Sequence, residues 1–259
     1  MALCAACWCG TAGAAERVVT LAPHLAELVA EAGALDQLVG VSRFTDHPPA
    51  AARLPKVGDG FAIRHEHVLA LRPSLVLAWA DGTPADAIRQ LERLGLRVEA
   101  VRVQTLDDVP LAVRSLGALL GTRGTSDPAA AALTQRIAAL RGADGPPPAV
   151  YYQVSASPIY TLNGQSIVSD AIRRCGGRNV FADLPTIAPL LGRESVVMAR
   201  PDVILYSTPG GDAIWRGFDV IPAVATGRVH KINPDLLARP GPRFVDGAEQ
   251  LCGLLSQAG

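Results

Sequence analysis

The sequence carries no excess charge. Its 24 lysines and arginines balance 24 aspartates and glutamates over 259 residues, a formal net charge of +0 at pH 7. Proteins that hold nucleic acid or lie on anionic membranes select basic patches, so this balance argues against both partners. No uninterrupted apolar run reaches the roughly 18 to 20 residues that a membrane-spanning helix needs. The usual signs of catalysis are missing as well. Gly164-Gln165-Ser166-Ile167-Val168 is not a G-x-S-x-G elbow, and no glycine-rich loop opens a helix to cradle phosphate. No pair of carboxylates has a spacing suited to acid–base work, and these absences argue against an enzyme. Beyond the first nine residues cysteine is nearly absent, with only Cys175 and Cys252 remaining.

What is present is a globular composition, 49% hydrophobic and 19% charged, with ample material for a core. Residues 1–15, MALCAACWCGTAGAA, hold no charge and end in small residues with an A-x-A pattern. They read as the remnant of a cleaved secretory signal, and so predict export to the periplasm. Cys4, Cys7 and Cys9 have no histidine or acidic residue beside them to make a metal motif. In an exported chain the even pair Cys175 and Cys252 invites a disulfide, with two separate buried thiols as the alternative.

One stretch occurs twice. EHVLALRPSLVL at Glu66–Leu77 returns as ESVVMARPDVIL at Glu194–Leu205. In each copy a short apolar helix begins beside a glutamate and is stopped by Arg-Pro, since proline forces the residue before it out of the helical region. A bounded apolar run follows and reads as a strand buried on both faces. The match continues from Asp86-Ala87-Ile88 to Asp212-Ala213-Ile214, predicting a further helix and strand in each half. The reading is therefore α/β: two Rossmann-like lobes with parallel-rich sheets, residues 16–124 and 146–259, joined by a single long helix within 125–145. Ser126-Asp127-Pro128 marks the start of that helix, with a capping side chain and proline in the first turn. Gly33 is expected to cap the first helix, and Val150–Val154 and Ile159–Leu162 read as strands. Long proline-containing loops, 42–60 and 179–192, precede the two repeat copies, and such loops are more often functional than idle.

Two lobes with a stiff joint suggest a ligand held in the cleft between them, at the carboxyl ends of the strands. Phe44, Phe61, Trp79 and Tyr160, and less directly Trp215, are aromatics that either line such a cleft or fill the core. TLAPHLAELVAEAG, VGVSRFTDHPPAA, HVLALRPSLVLAW, CGGRNVFAD and RPGPRFVDGAEQLC, with the connecting helix, resemble the periplasmic cobalamin-binding proteins of ABC importers. That family belongs to the class whose lobes are joined by one long helix, shared with haem and siderophore receptors. The resemblance covers nearly the whole chain from Arg17 onward.

The resemblance implies a corrinoid ligand such as cobalamin, no cofactor, a monomer, and an ABC permease dimer as partner. Haem or a siderophore is the alternative ligand. Glu66 and Glu194 resemble the acidic pair, one per lobe, that docks on permease arginines. For either alone, a carboxylate favoured by the helix dipole explains as much. Trp79 matches a tryptophan that packs on the ligand, Tyr160 falls at or beside a second aromatic position, and Asp235 and Arg239 lie where relatives place polar contacts. His47 stands where better-known relatives carry tyrosine, Gly60-Phe61 replaces a tryptophan, and Ala188 replaces another. The five histidines are scattered, and His65 and His67 point to different helix faces, which argues against a bare-metal site. His47 alone is a candidate axial ligand to the metal of a bound macrocycle.

Overall fold

The computed structural model describes residues 15–59, 62–142 and 145–256. The proposed signal remnant through Ala14, and Phe61, lie outside the described residues. The N-terminal lobe runs β1 (Val18–Thr20), α1 (Pro23–Glu31), β2 (Leu38–Gly40), α2 (Pro49–Ala52) and α3 (His65–Ala70). It ends with β3 (Leu75–Trp79), α4 (Ala85–Arg93), β4 (Val98–Val101) and α5 (Asp108–Leu119). The joining helix α6 spans Arg123–Ala139. The second lobe opens with β5 (Ala149–Gln153), β6 (Ser155–Ala156), β7 (Ile159–Tyr160), α7 (Ile167–Arg174) and β8 (Arg178–Asn179). It continues with α8 (Arg193–Ala199), β9 (Val203–Tyr206), α9 (Pro222–Ala225) and β10 (Val229–Lys231). Helices α10 (Pro234–Leu237) and α11 (Arg243–Ser256) follow.

Each lobe has a four-stranded parallel sheet, in the orders β2-β1-β3-β4 and β10-β9-β5-β8. Read from its other edge, the second sheet is β8-β5-β9-β10. The lobes therefore share one topology, with the repeated segments supplying α3–β3 and α8–β9. Both Arg-Pro stops have the same geometry: Arg72 and Arg200 sit at φ 46, left-handed. Proline bars the helical region to the residue before it, and the left-handed one turns the chain back into the sheet. Arg17 donates to the carbonyls of Leu71 (2.7 Å) and Arg72 (3.2 Å), satisfying the end of α3.

Strands β3 and β9 are buried on both faces, as their apolar runs predict. One core runs without a break from α1 through α5, α6, α7 and α11, joining Leu25, Val113, Leu133, Ile172 and Leu251. Each sheet's other face carries a smaller cluster, around Val68 and Leu91 in one lobe and Val196 and Trp215 in the other. Both lobes thus share a single continuous core along the connecting helix. Cys175 and Cys252 form a disulfide between α7 and α11.

Three local expectations are corrected. The joining helix begins about one turn before Ser126, and Pro128 lies inside it. Ser126 is not a cap: it is buried against Gly117, where α5 and α6 approach closely. That packing extends the helix past the local start signal, because the bond Pro128 gives up is outweighed by burial of Ala130, Leu133 and Ile137. The apolar run Ile159–Leu162 does not join the main sheet. Only Ile159 and Tyr160 are strand, paired antiparallel with Ser155 and Ala156. The repeat also breaks after β9, where a single 3-10 turn, Ala213–Trp215, replaces helix α4. Gly33 does hold the positive φ (+79) expected of a helix-ending glycine.

Candidate functional site

In a doubly wound sheet, ligands meet the carboxyl ends of the strands where the order reverses. That point lies between β1 and β3 in the first lobe and between β5 and β9 in the second. A cavity of about 250 Å³ lies between the lobes at this level, walled by Trp79 and Gln104 from one side and Tyr152, Gln165, Leu237 and Pro240 from the other. It shares Gln104, Gln165 and Ser166 with a more open groove of about 780 Å³ running along α7. The space available to a ligand is therefore a small apolar chamber opening onto a larger groove bordered by polar side chains of α7.

Trp79 ends β3 and is half-buried. Its backbone N–H donates to Thr83 Oγ1 at 3.0 Å, and its ring meets His24 edge-on, with centroids 5.1 Å apart. Gly82 lies under the indole: a Cβ there would come within 1.9 Å of Cε3, so only glycine allows this ring position. The indole Nε1 is buried without a hydrogen-bond partner. His24, 3% exposed, is held neutral. Burial first, and then the charge of Arg239, lower its pKa to about 3. Burial likewise pushes Tyr152 up to about 12, so its phenol stays protonated beside the cavity.

The C-terminal wall is the segment from α10 to the start of α11. Asn233 caps α10 by accepting from the Asp235 N–H at 2.9 Å. Asp235 Oδ1 lies 3.1 Å from Arg239 Nη2, and Arg239 also grips Asp46 of the opposite lobe with both terminal nitrogens. The Arg239 guanidinium beside Asp46 holds that carboxyl below its ordinary range. The two sequence-predicted polar residues thus come together, but bound to each other and to Asp46 rather than standing free in the cavity.

The remaining candidates are more dispersed. His47 is half-buried in the loop between β2 and α2, next to Asp46, and Tyr160 is half-buried on the β6–β7 hairpin. Neither lines the chamber. Phe44 is 59% exposed, with the Arg43 guanidinium 5.3 Å from its ring centroid. Trp215 belongs to the second lobe's core, donating from Nε1 to Gln153 at 2.7 Å and packing edge-on against Tyr151. Glu66 and Glu194 are exposed at the second residue of α3 and of α8. Each helix runs back toward the start of the strand that follows it, so each glutamate stands at the carboxyl end of its own sheet. Among the described residues, no group of three or more His, Cys, Asp or Glu side chains is placed to hold a metal ion.

Sequence reasoning missed His24, Glu27, Asp46, Gln104, Gln165 and Arg243. Nothing local marks them: His24, Glu27, Asp46 and Arg243 act through partners far away in the chain, and Gln104 and Gln165 come together only at the cavity.

A family model described as periplasmic binding protein matches residues 18–236. The vitamin B12-binding protein of Vibrio cholerae serotype O1 is 34% identical over 249 residues, covering 94% of this chain and 90% of its own. That of Pectobacterium carotovorum is 31% identical over 250 residues, covering 93% and 88%. Among solved structures, the periplasmic vitamin B12-binding protein BtuF of Vibrio cholerae superposes with a TM-score of 0.86 at 33% identity, covering 94% of this chain and 98% of that one. The periplasmic haem-binding protein BhuT, solved with two haems, superposes at 0.78 with 28% identity and coverage of 94% and 98%.

Proposed function

The chain belongs to the periplasmic binding protein family, and from that premise we propose that it captures cobalamin or a related corrinoid between its lobes and delivers it to an ABC permease. The observation that carries the reading is the chamber between the lobes, set where the carboxyl ends of both sheets meet and adjoining a larger groove along α7. A corrinoid is a broad, largely apolar disc fringed with amides. It needs a flat aromatic wall for area and a few converging hydrogen-bonding groups for orientation. Trp79 supplies the wall, and the amides of Gln104 and Gln165 meet the ligand's amide fringe. Arg239 and Asp235 contact the ligand at the rim, with His47 and Tyr160 nearer its mouth. The role is binding and delivery without turnover, by a monomer in the periplasm. Glu66 and Glu194, one per lobe, dock on basic residues of a permease dimer.

A second reading, haem, is favoured by one observation: the loop that borders the cleft offers the His47 imidazole, a residue suited to iron as well as to cobalt. Visible spectra and calorimetry of the purified protein with cyanocobalamin, cobinamide and haemin separate the two. Corrinoid heat with no haemin Soret shift is the expected result. A Soret shift with no corrinoid heat reverses the assignment, and a spectrum that changes on replacing His47 with alanine identifies an axial ligand.

A further inference from the structure

We infer that Asp46 is a positioning residue of the cleft: by gripping Arg239 across the gap, it latches the loop of residues 42–56 onto the C-terminal lobe. The consequence for the ligand rests on the proposed corrinoid role, whereas the latch itself is a property of the ligand-free protein.

The contact has two points. Arg239 Nη1 donates to Asp46 Oδ1, and Nη2 donates to Oδ2 at 3.1 Å, a fork that fixes orientation as well as distance. It is also part of a longer row. Arg243 donates from Nε (2.9 Å) and Nη2 (2.6 Å) to the two oxygens of Glu27, and its Nη2 lies 3.8 Å from Asp46. Glu27, Arg243, Asp46, Arg239 and Asp235 therefore alternate in sign, and the row passes from lobe to lobe three times. Glu27 is only 3% exposed and the Arg239 side chain 18%, so water and salt screen these members less than an open surface pair, whereas the Asp46 carboxylate, at 54%, is the row's solvent-facing link.

The row borders the ligand chamber directly. Ala238 and Pro240, on either side of Arg239, both line the cavity. Two residues further on, the backbone at Gly241 lies against His24, whose ring abuts Trp79. The position of Arg239 thus sets both the apolar wall and the backing of the aromatic one. On the loop side, Lys56 Nζ donates to the Thr45 carbonyl at 3.0 Å, and Val57 N to Val41 O at 3.0 Å, so the loop moves as a unit with Asp46 at its tip. Helix α6 ties the lobes covalently. The lobes are also joined by the Leu106 N–H donating to Asp170 Oδ2 at 2.9 Å and by Arg174 donating to Asp107, and the charge row adds a further tie where the 42–56 loop meets the C-terminal lobe.

Hydrogen–deuterium exchange on the ligand-free full chain tests the latch, using Asp46→Asn, Asp46→Glu, Arg239→Gln and the double variant Asp46→Asn/Arg239→Gln. Asp46→Asn should raise exchange about tenfold in segments 42–57 and 238–244. Asp46→Glu should stay near wild type, and the double variant should exchange no faster than either single one. Exchange within twofold of wild type in Asp46→Asn overturns the proposal, and so do single effects that simply multiply. Stopped-flow binding of cyanocobalamin then tests the consequence. Dissociation should quicken about tenfold in Asp46→Asn with little change in association. Dissociation at the wild-type rate overturns the role at the cleft. If the exchange pattern holds but wild type binds no cyanocobalamin, the corrinoid reading fails and the latch stands.

Discussion

Replacing both disulfide cysteines with alanine should destabilise the second lobe by about 4 to 5 kcal/mol, an amount set almost wholly by chain entropy. Cys175 and Cys252 are 77 residues apart, and closing a loop of that size removes about 15 cal/mol/K from the unfolded chain, or about 4.5 kcal/mol at 25 °C. The single variant Cys175→Ala breaks the same cross-link and should show most of the double variant's loss of stability. Urea unfolding followed by tryptophan fluorescence is the assay. With Trp8 and Trp79 changed to phenylalanine, Trp215, fixed in the core of the second lobe, reports on that lobe alone. At a slope of about 3 kcal/mol per molar urea, the midpoint should fall by roughly 1.5 M. A loss below about 1.5 kcal/mol, or a single variant far more stable than the double one, would refute the entropic argument.

Trp79→Ala should weaken corrinoid binding by about 2 kcal/mol, roughly thirtyfold, with Trp79→Phe nearer wild type; calorimetry reads both. Gly82→Ala should do similar damage without touching the ligand, because its methyl group displaces the indole. Reversing both Glu66 and Glu194 to arginine should abolish uptake in a transport assay and leave the binding constant unchanged; a weakened binding constant contradicts the docking role. The fourth prediction concerns pH. His24 has a folded pKa of about 3, below its ordinary value of 6.5, so the unfolded chain binds the extra proton. Its contribution is complete above pH 6.5 and is lost as pH falls toward 3, at up to about 1.4 kcal/mol per unit. Unfolding free energy should drop by about 2 kcal/mol between pH 6.5 and pH 5, and His24→Asn should remove that part of the slope. Asp46 and Glu249, both held below the ordinary carboxylate range by arginine partners, add losses of the same sign at lower pH.

The architecture was legible because it repeats. Arg-Pro followed by a branched apolar run constrains the backbone locally, and Arg72 and Arg200 adopt the same left-handed turn ahead of strands of the same depth. The glycine cap at Gly33 was legible for the same local reason. The misreadings came where tertiary contacts overrode a local signal. Ser126 looks like a cap until α5 packs on it, and Ile159–Leu162 looks like a sheet strand until the short hairpin draws it away. At the site, Trp79 stood out only through the family resemblance of the strand it ends. Trp215 could not be sorted from it by type alone, because a tryptophan serves core and cleft equally well until the neighbours are known.

The sequence by itself determined the two α/β lobes, the helix between them and the placement of one glutamate at the same point of each lobe, since these follow from periodicity and from what proline and glycine do to the backbone nearby. Only the tertiary structure decided which aromatic faces the cleft and which is sealed in the core. It alone paired Glu27 with Arg243 and Asp46 with Arg239, across 216 and 193 residues of chain. Charges attract through space, and a single sequence records no distance between residues so far apart.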